Sequence, residues 1–143
     1  MTHFMRILFL AVSVFLFALP ALADDQRAVD MTAVLHDGNG RVLKDFSEQA
    51  QGDQACEKCP ALTVGRAVDH ALKARFPDEQ NLPGEQSWAR ALLGDRVKAD
   101  KAARLTLKEA ETIERLVMKA YTGEVIAQIV PMLDPNRKPP ELQ

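Results

Sequence analysis

The chain has 143 residues, with 18 basic and 20 acidic side chains and a net charge of −2. This length predicts one compact domain, because about two thirds of the unfolded surface can be buried in a single core. The near balance of charges excludes the strongly basic surface that nucleic acid or an anionic membrane would attract, so we expect neither partner.

The first 23 residues predict a secretory signal peptide rather than part of the fold. Arg6 precedes an apolar run from Ile7 to Ala18, and Pro20 then leads into Ala21-Leu22-Ala23, the small-x-small pattern that signal peptidase cuts after. The run is shorter than the ~20 apolar residues that a membrane-spanning helix needs. We therefore expect cleavage after Ala23, a periplasmic or secreted location, no stable membrane insertion after cleavage, and a single domain over residues 24–134.

The segment that follows predicts a β-hairpin over residues 29–46. Two apolar runs flank residues 37–40, a cluster of Asp, Gly and Asn. Gly and Asn tolerate the positive φ that a tight hairpin turn needs. A lone hairpin is marginal in water, so this one should lie against helices.

Either Met1 or Met5 suits the start of translation, and the export prediction is the same for both.

The rest of the chain is helical in pattern, so the predicted fold class is mainly α: a small bundle of three to four helices with an N-terminal β-hairpin. Apolar residues recur near every fourth position, Thr63 suits an N-cap, and Thr106 forms a capping box with Glu109. Gly94 either weakens its helix by ~1 kcal/mol or marks close packing. The predicted helices cover residues 63–76, 84–99, 107–121 and 123–133, and a flexible Pro-rich tail covers residues 135–143.

Two apolar stripes indicate where the core should lie. The stripe of the second helix contains Trp88, which we interpret as a core residue rather than as a binding platform. The last helix is apolar on nearly all sides, and such a helix is usually buried. We expect it to be either core or the contact surface of an oligomer, with a kink at Pro131. The residues concerned are Val125, Ile126, Ile129, Val130 and Leu133.

The two cysteines, Cys56 and Cys59, lie in a polar loop predicted over residues 47–61. In an oxidising compartment the favoured interpretation is a local disulfide, worth ~2 kcal/mol in the loop-entropy model. A redox-active pair stays open as an alternative, although the helical pattern lacks the βαβ framework of a thioredoxin-like fold. A metal site in which the two cysteines supply half of the ligands is a further alternative. However, the distances in sequence from the cysteines to His36 and His70 do not match a known zinc-binding pattern.

No other group of residues predicts catalysis, a metal site or a cofactor, so we expect no catalytic residues, no metal and no cofactor. The sequence therefore favours a non-enzymatic structural or protein-binding component of the periplasm. Its partner is an unknown protein or a second copy of the chain. The alternative function is a thiol redox or metal-handling protein that uses the cysteine pair, and a hydrolase without a recognisable motif is a third.

Three short stretches carry a resemblance to known proteins. They are residues 61–65 (ALTVG), 76–85 (FPDEQNLPGE) and 119–123 (KAYTG), the last continuing to 133–134. Together with the hairpin-like opening, they resemble a family of small uncharacterised bacteriophage-encoded proteins, and secreted proteobacterial relatives that add a signal peptide. The resemblance implies a shared domain and no known site residues. The export segment and the cysteine pair depart from the phage pattern, which argues against a role in virion assembly.

Overall fold

The computed structural model describes residues 26–47 and 58–141. The predicted signal peptide and Cys56 lie outside these residues. In chain order, the described elements are strand β1 (Arg27–Val29), helix α1 (Val64–Lys73), a 3-10 turn (Pro77–Glu79), helix α2 (Gly84–Val97), strand β2 (Ala103–Leu105), helix α3 (Leu107–Ala120) and helix α4 (Gly123–Leu133). The prediction of a mainly α fold with a small antiparallel β component is confirmed.

The helices begin where the predicted caps stand. The Thr63 hydroxyl accepts a hydrogen bond from the backbone N–H of Arg66 at 3.3 Å, at the start of α1. At the start of α3, the backbone N–H of Thr106 donates to the Glu109 carboxylate at 2.9 Å, and the Glu109 N–H donates to the Thr106 hydroxyl at 3.3 Å. Both caps satisfy N–H groups that have no partner inside the helix.

Helix α1 ends at Lys73, three residues earlier than residue 76, where the sequence pattern places its end. Ala74 is already extended, with φ −64° and ψ 146°. Phe76 is extended as well, with φ −98° and ψ 147°, because it precedes Pro77. The proline ring clashes with a helical conformation of the residue before it, so the helix stops short of the proline.

The predicted hairpin turn is present, but the regular sheet lies elsewhere. The backbone N–H of Asp37 donates to the carbonyl of Arg41 at 2.8 Å, and Gly40 has a φ of 77°. Beyond the turn, Leu43 donates to Leu35 at 2.9 Å, and the pairing consists of isolated bridges. The two-stranded sheet instead pairs β1 with β2, antiparallel, which the sequence did not predict.

The core lies among α1, α3, α4 and the paired strands, and α2 packs against α1. Two glycines set how closely α1 and α2 approach. A Cβ at Gly94 would lie 2.4 Å from a carboxylate oxygen of Asp69, and one at Gly65 would lie 2.1 Å from the carbonyl oxygen of Lys98. Close packing at Gly94, one of the two predicted alternatives, is therefore what the structure shows.

Candidate functional site

Cys59 is buried, with 5% exposure, and is not a free thiol. Its predicted partner Cys56 lies outside the described residues, so the Cys56–Cys59 pairing stays a prediction. The two ends of the cysteine loop are held together by backbone hydrogen bonds. The N–H of Asp45 donates to the carbonyl of Pro60 at 2.9 Å, and a bridge pairs Lys44 with Ala61. The loop therefore starts and ends on the same small ladder.

The side chain of Asp45 anchors this ladder to α1. It is 2% exposed, and its carboxylate accepts from the Arg66 guanidinium at 2.8 Å and from the Ser47 N–H at 3.0 Å. The His70 ring nitrogen Nε2 lies 3.8 Å from the same carboxylate. Burial raises the pKa of Asp45, but the hydrogen bonds from Arg66 and Ser47 outweigh it, so the net pKa is lowered. Asp45 is therefore a fixed, ionised acceptor.

Tyr121, the residue that follows α3, closes the other side of this cluster. Its hydroxyl lies 3.5 Å from Nδ1 of His70. Burial, and then the negative charge of Asp45, raise the pKa of Tyr121 to about 12. The phenol therefore stays protonated at neutral pH and is not a base. The contacts of Asp45, Arg66, His70 and Tyr121 join the cysteine ladder to α1 and to the end of α3.

A second charged cluster surrounds Glu79, beside a cleft of about 610 Å³ between the end of α1 and the start of α2. The Glu79 carboxylate accepts two hydrogen bonds from Arg90, at 2.7 and 2.9 Å, and Lys119 and Arg115 lie 3.6 Å away. The Arg90 hydrogen bonds are the largest cause that lowers the pKa of Glu79 to about 2. The Glu79 carboxylate therefore fixes the Arg90 side chain, which is largely buried, along this wall of the cleft.

The apolar segment of α4 lies inside the single chain. Val125, Ile129 and Leu133 belong to the core cluster, Val130 is buried, and Ile126 packs against the core. The helix continues through Pro131 and ends at Leu133. Four of the five residues considered as core or interface are therefore buried within the same chain, and Ile126 is partly buried.

Trp88 is the principal departure from the sequence interpretation. The expectation that it belongs to the core is wrong: Trp88 is 67% exposed on α2, and Leu92, one turn later, is 51% exposed. Of the predicted stripe only Val97 is fully buried, and Leu93 is partly buried against the core. We call Trp88 and Leu92, with the exposed Ala89 between them, the α2 face.

The reason for the different orientation of α2 is its packing on α1. The side of α2 that contacts the rest of the chain carries Arg90, Gly94 and Val97. Arg90 is held by Glu79, and Gly94 allows the close approach to Asp69. With about 3.6 residues per turn, Leu92 lies almost opposite Gly94. Gly94 was thus the sequence signal that places Leu92 and its neighbour Trp88 outward.

Residues 26–47 and 58–141 show neither a metal-binding cluster nor a membrane-spanning helix. This part of the chain contains no group of three or more His, Cys, Asp or Glu side chains arranged to hold a metal ion. Asp37, in the hairpin turn, accepts hydrogen bonds from the backbone N–H groups of Asn39 and Arg41. Within the same residues, none of the helices has the length and apolar character needed to cross a bilayer.

Comparison of the chain with models of protein families, with curated proteins and with solved structures gave no match. The resemblance to phage-encoded and secreted bacterial proteins therefore stays a prediction.

Proposed function

We propose that this protein is an exported, non-enzymatic component of the periplasm that binds a protein partner through the α2 face. The observation that carries the proposal is the exposure of Trp88 on a regular helix, next to the exposed Leu92. Tryptophan is enriched among the residues that dominate binding energy at protein interfaces. A side chain this large gains free energy when a partner removes it from water.

The proposal that the protein acts in the periplasm depends on the predicted signal peptide, which lies outside the described residues. The stabilising disulfide and the redox alternative differ in whether the cysteine pair exchanges with external thiols. Mass spectrometry of the exported protein with and without thiol alkylation tests this point. We expect one species in which Cys56 and Cys59 both resist alkylation, whereas a mixed population or a bound metal would favour the alternative.

Site-specific photo-crosslinking in the native cell envelope tests the binding proposal. A photoreactive phenylalanine analogue at Ala89, on the α2 face, should give a discrete cross-linked product. The same analogue at Glu111, which is exposed on α3, is the matched control and should not. The product at Ala89 should fall strongly when Trp88 is also changed to Ala. Equal products at Ala89 and Glu111, or a product that Trp88→Ala leaves unchanged, would contradict the proposal.

A further inference from the structure

We infer that the partner of the α2 face is a second copy of this chain, with the two α2 helices packed antiparallel about a twofold axis. The inference rests on the proposed function, because it requires that the α2 face binds protein. It adds the identity of the partner and the register of the contact.

The α2 face has a charged residue of opposite sign at each end. Glu85 lies in the first turn of α2, and Arg96 lies in the last turn. With about 3.6 residues per turn, both project from the side of the helix that carries Trp88 and Leu92. Both are exposed, and the contact side of α2, with Arg90, Gly94 and Val97, faces the other way. The face therefore runs from an acid through two apolar side chains to a base. Asp95 lies on the same side in the last turn, and its charge is offset by ion pairs with Lys73 at 2.8 Å and Lys98 at 3.2 Å.

This order of charges favours a second copy in the antiparallel direction. In this arrangement Glu85 of one copy lies level with Arg96 of the other. Ala89 of the first copy then lies level with Leu92 of the second, and Trp88 of the first copy lies next to that leucine. The twofold axis repeats each contact, so both ends of the interface pair an acid with a base. A parallel arrangement would place Glu85 against Glu85 and Arg96 against Arg96, which like-charge repulsion disfavours.

The two charged residues are also available for such pairs. Within the described residues, Glu85 makes no ion pair and no side-chain hydrogen bond. The Arg96 side chain is 49% exposed, although it donates to Glu109 at 2.6 Å and to the Arg104 carbonyl at 3.2 Å. A guanidinium has further N–H donors beyond these two bonds, and the bonds hold it in position. An interface of one helix face is small, so we expect a dissociation constant of roughly micromolar order.

Charge-swap variants test the inference by sedimentation-velocity ultracentrifugation of the purified chain over a range of concentrations. The unchanged chain should form a dimer. Glu85→Arg alone and Arg96→Glu alone should each weaken dimerisation at least ~10-fold, since each creates like-charge pairs. An equimolar mixture of the two variants should restore the dimer, because every contact then joins an acid to a base. Trp88→Ala should weaken the dimer as well, and Glu111→Arg, with the same change of charge on α3, should not.

Several outcomes would overturn the inference: a monomer at all concentrations, a mixture that associates no better than the single variants, or a dimer that the Trp88 variant leaves unchanged. Circular dichroism verifies that each variant is folded. If Arg96→Glu fails to fold through loss of its contact with Glu109, Glu85→Arg is compared with Glu85→Gln, and only a larger loss for Arg supports the inference. If the chain is a monomer and its Ala89 analogue still cross-links to a different protein, the inference is wrong and the proposed function stands. If the chain is a monomer and the analogue gives no cross-linked product, both are wrong.

Discussion

Replacing Asp45 should destabilise the fold although the residue lies next to a loop. Its carboxylate is 2% exposed and accepts hydrogen bonds from Arg66 and from the Ser47 N–H. A hydrogen bond to a charged group contributes about 1.5–3 kcal/mol, and the partial exposure of Arg66 argues for the lower end. Asparagine keeps the shape and one acceptor oxygen but loses the charge. We therefore expect Asp45→Asn to lower the free energy of unfolding by about 2 kcal/mol, and Asp45→Ala by about 3 kcal/mol.

Urea denaturation followed by circular dichroism measures both values. Asp100→Asn is the matched control, because Asp100 is exposed and its side chain accepts from the backbone N–H of Ala102, a bond that asparagine can keep. The control should change the free energy of unfolding by less than about 0.5 kcal/mol. Buried ion pairs are sometimes neutral for stability because desolvation offsets the attraction. If Asp45→Asn behaves like the control, the desolvation cost equals the gain, and the anchoring role of Asp45 is refuted.

The pH dependence gives a second, independent check on Asp45. Its pKa is lowered in the folded chain, where the hydrogen bonds from Arg66 and Ser47 overcome the effect of burial. A carboxyl group with a lowered pKa stabilises the fold fully above its unfolded pKa of about 3.9, and this contribution is lost as the pH falls through the folded pKa. The difference in stability between the unchanged chain and Asp45→Asn should therefore be present at neutral pH and shrink below about pH 4. A difference that grows in acid would contradict the sign.

Three further predictions concern packing and charge. Gly65→Ala should lower the free energy of unfolding by about 1–3 kcal/mol, because the new Cβ would meet a backbone carbonyl at 2.1 Å. Gly84→Ala is the control, since a Cβ at Gly84 would have no atom within 4 Å, and it should be neutral or slightly stabilising in the same urea assay. Ile129→Ala should cost about 2–5 kcal/mol in chemical denaturation because the side chain is fully buried, and a loss below about 1 kcal/mol would show that α4 is not core. The ionised Glu79 carboxylate stabilises the fold fully above its unfolded pKa of about 4.3, and this contribution is lost as the pH falls through about 2. Glu79→Gln should remove this pH-dependent contribution. Thermal unfolding at several pH values measures it, and an acid profile identical to that of the unchanged chain would contradict the prediction.

The prediction from sequence succeeded where structure depends on near neighbours. The caps at Thr63 and Thr106 and the turn at residues 37–40 involve partners within a few residues. The periodic helical segments are recognisable for the same reason, because each helical hydrogen bond joins residues four apart. The extended conformation of Phe76 was also legible in principle, since Pro77 restricts the residue before it.

The candidate site was much less predictable. Asp45 has no unusual neighbour in the sequence, and only the approach of α1 brings Arg66 and His70 to it. Trp88 reads as a core residue because it is apolar and shares a stripe with Val97. An amphipathic pattern shows that a helix has two faces, but the packing partner decides which one is buried.

What the sequence by itself determined is therefore the set of helices, their caps, and the turn between the bridged segments, because local hydrogen bonds and steric limits define them. Only the tertiary structure decided that β1 pairs with β2, that the α4 segment is covered by the same chain, and that α2 turns Trp88 to the surface. The physical reason is that these features depend on contacts between distant residues. At α2 the decisive contact is the close approach that Gly65 and Gly94 allow, and it rotates the apolar pair outward.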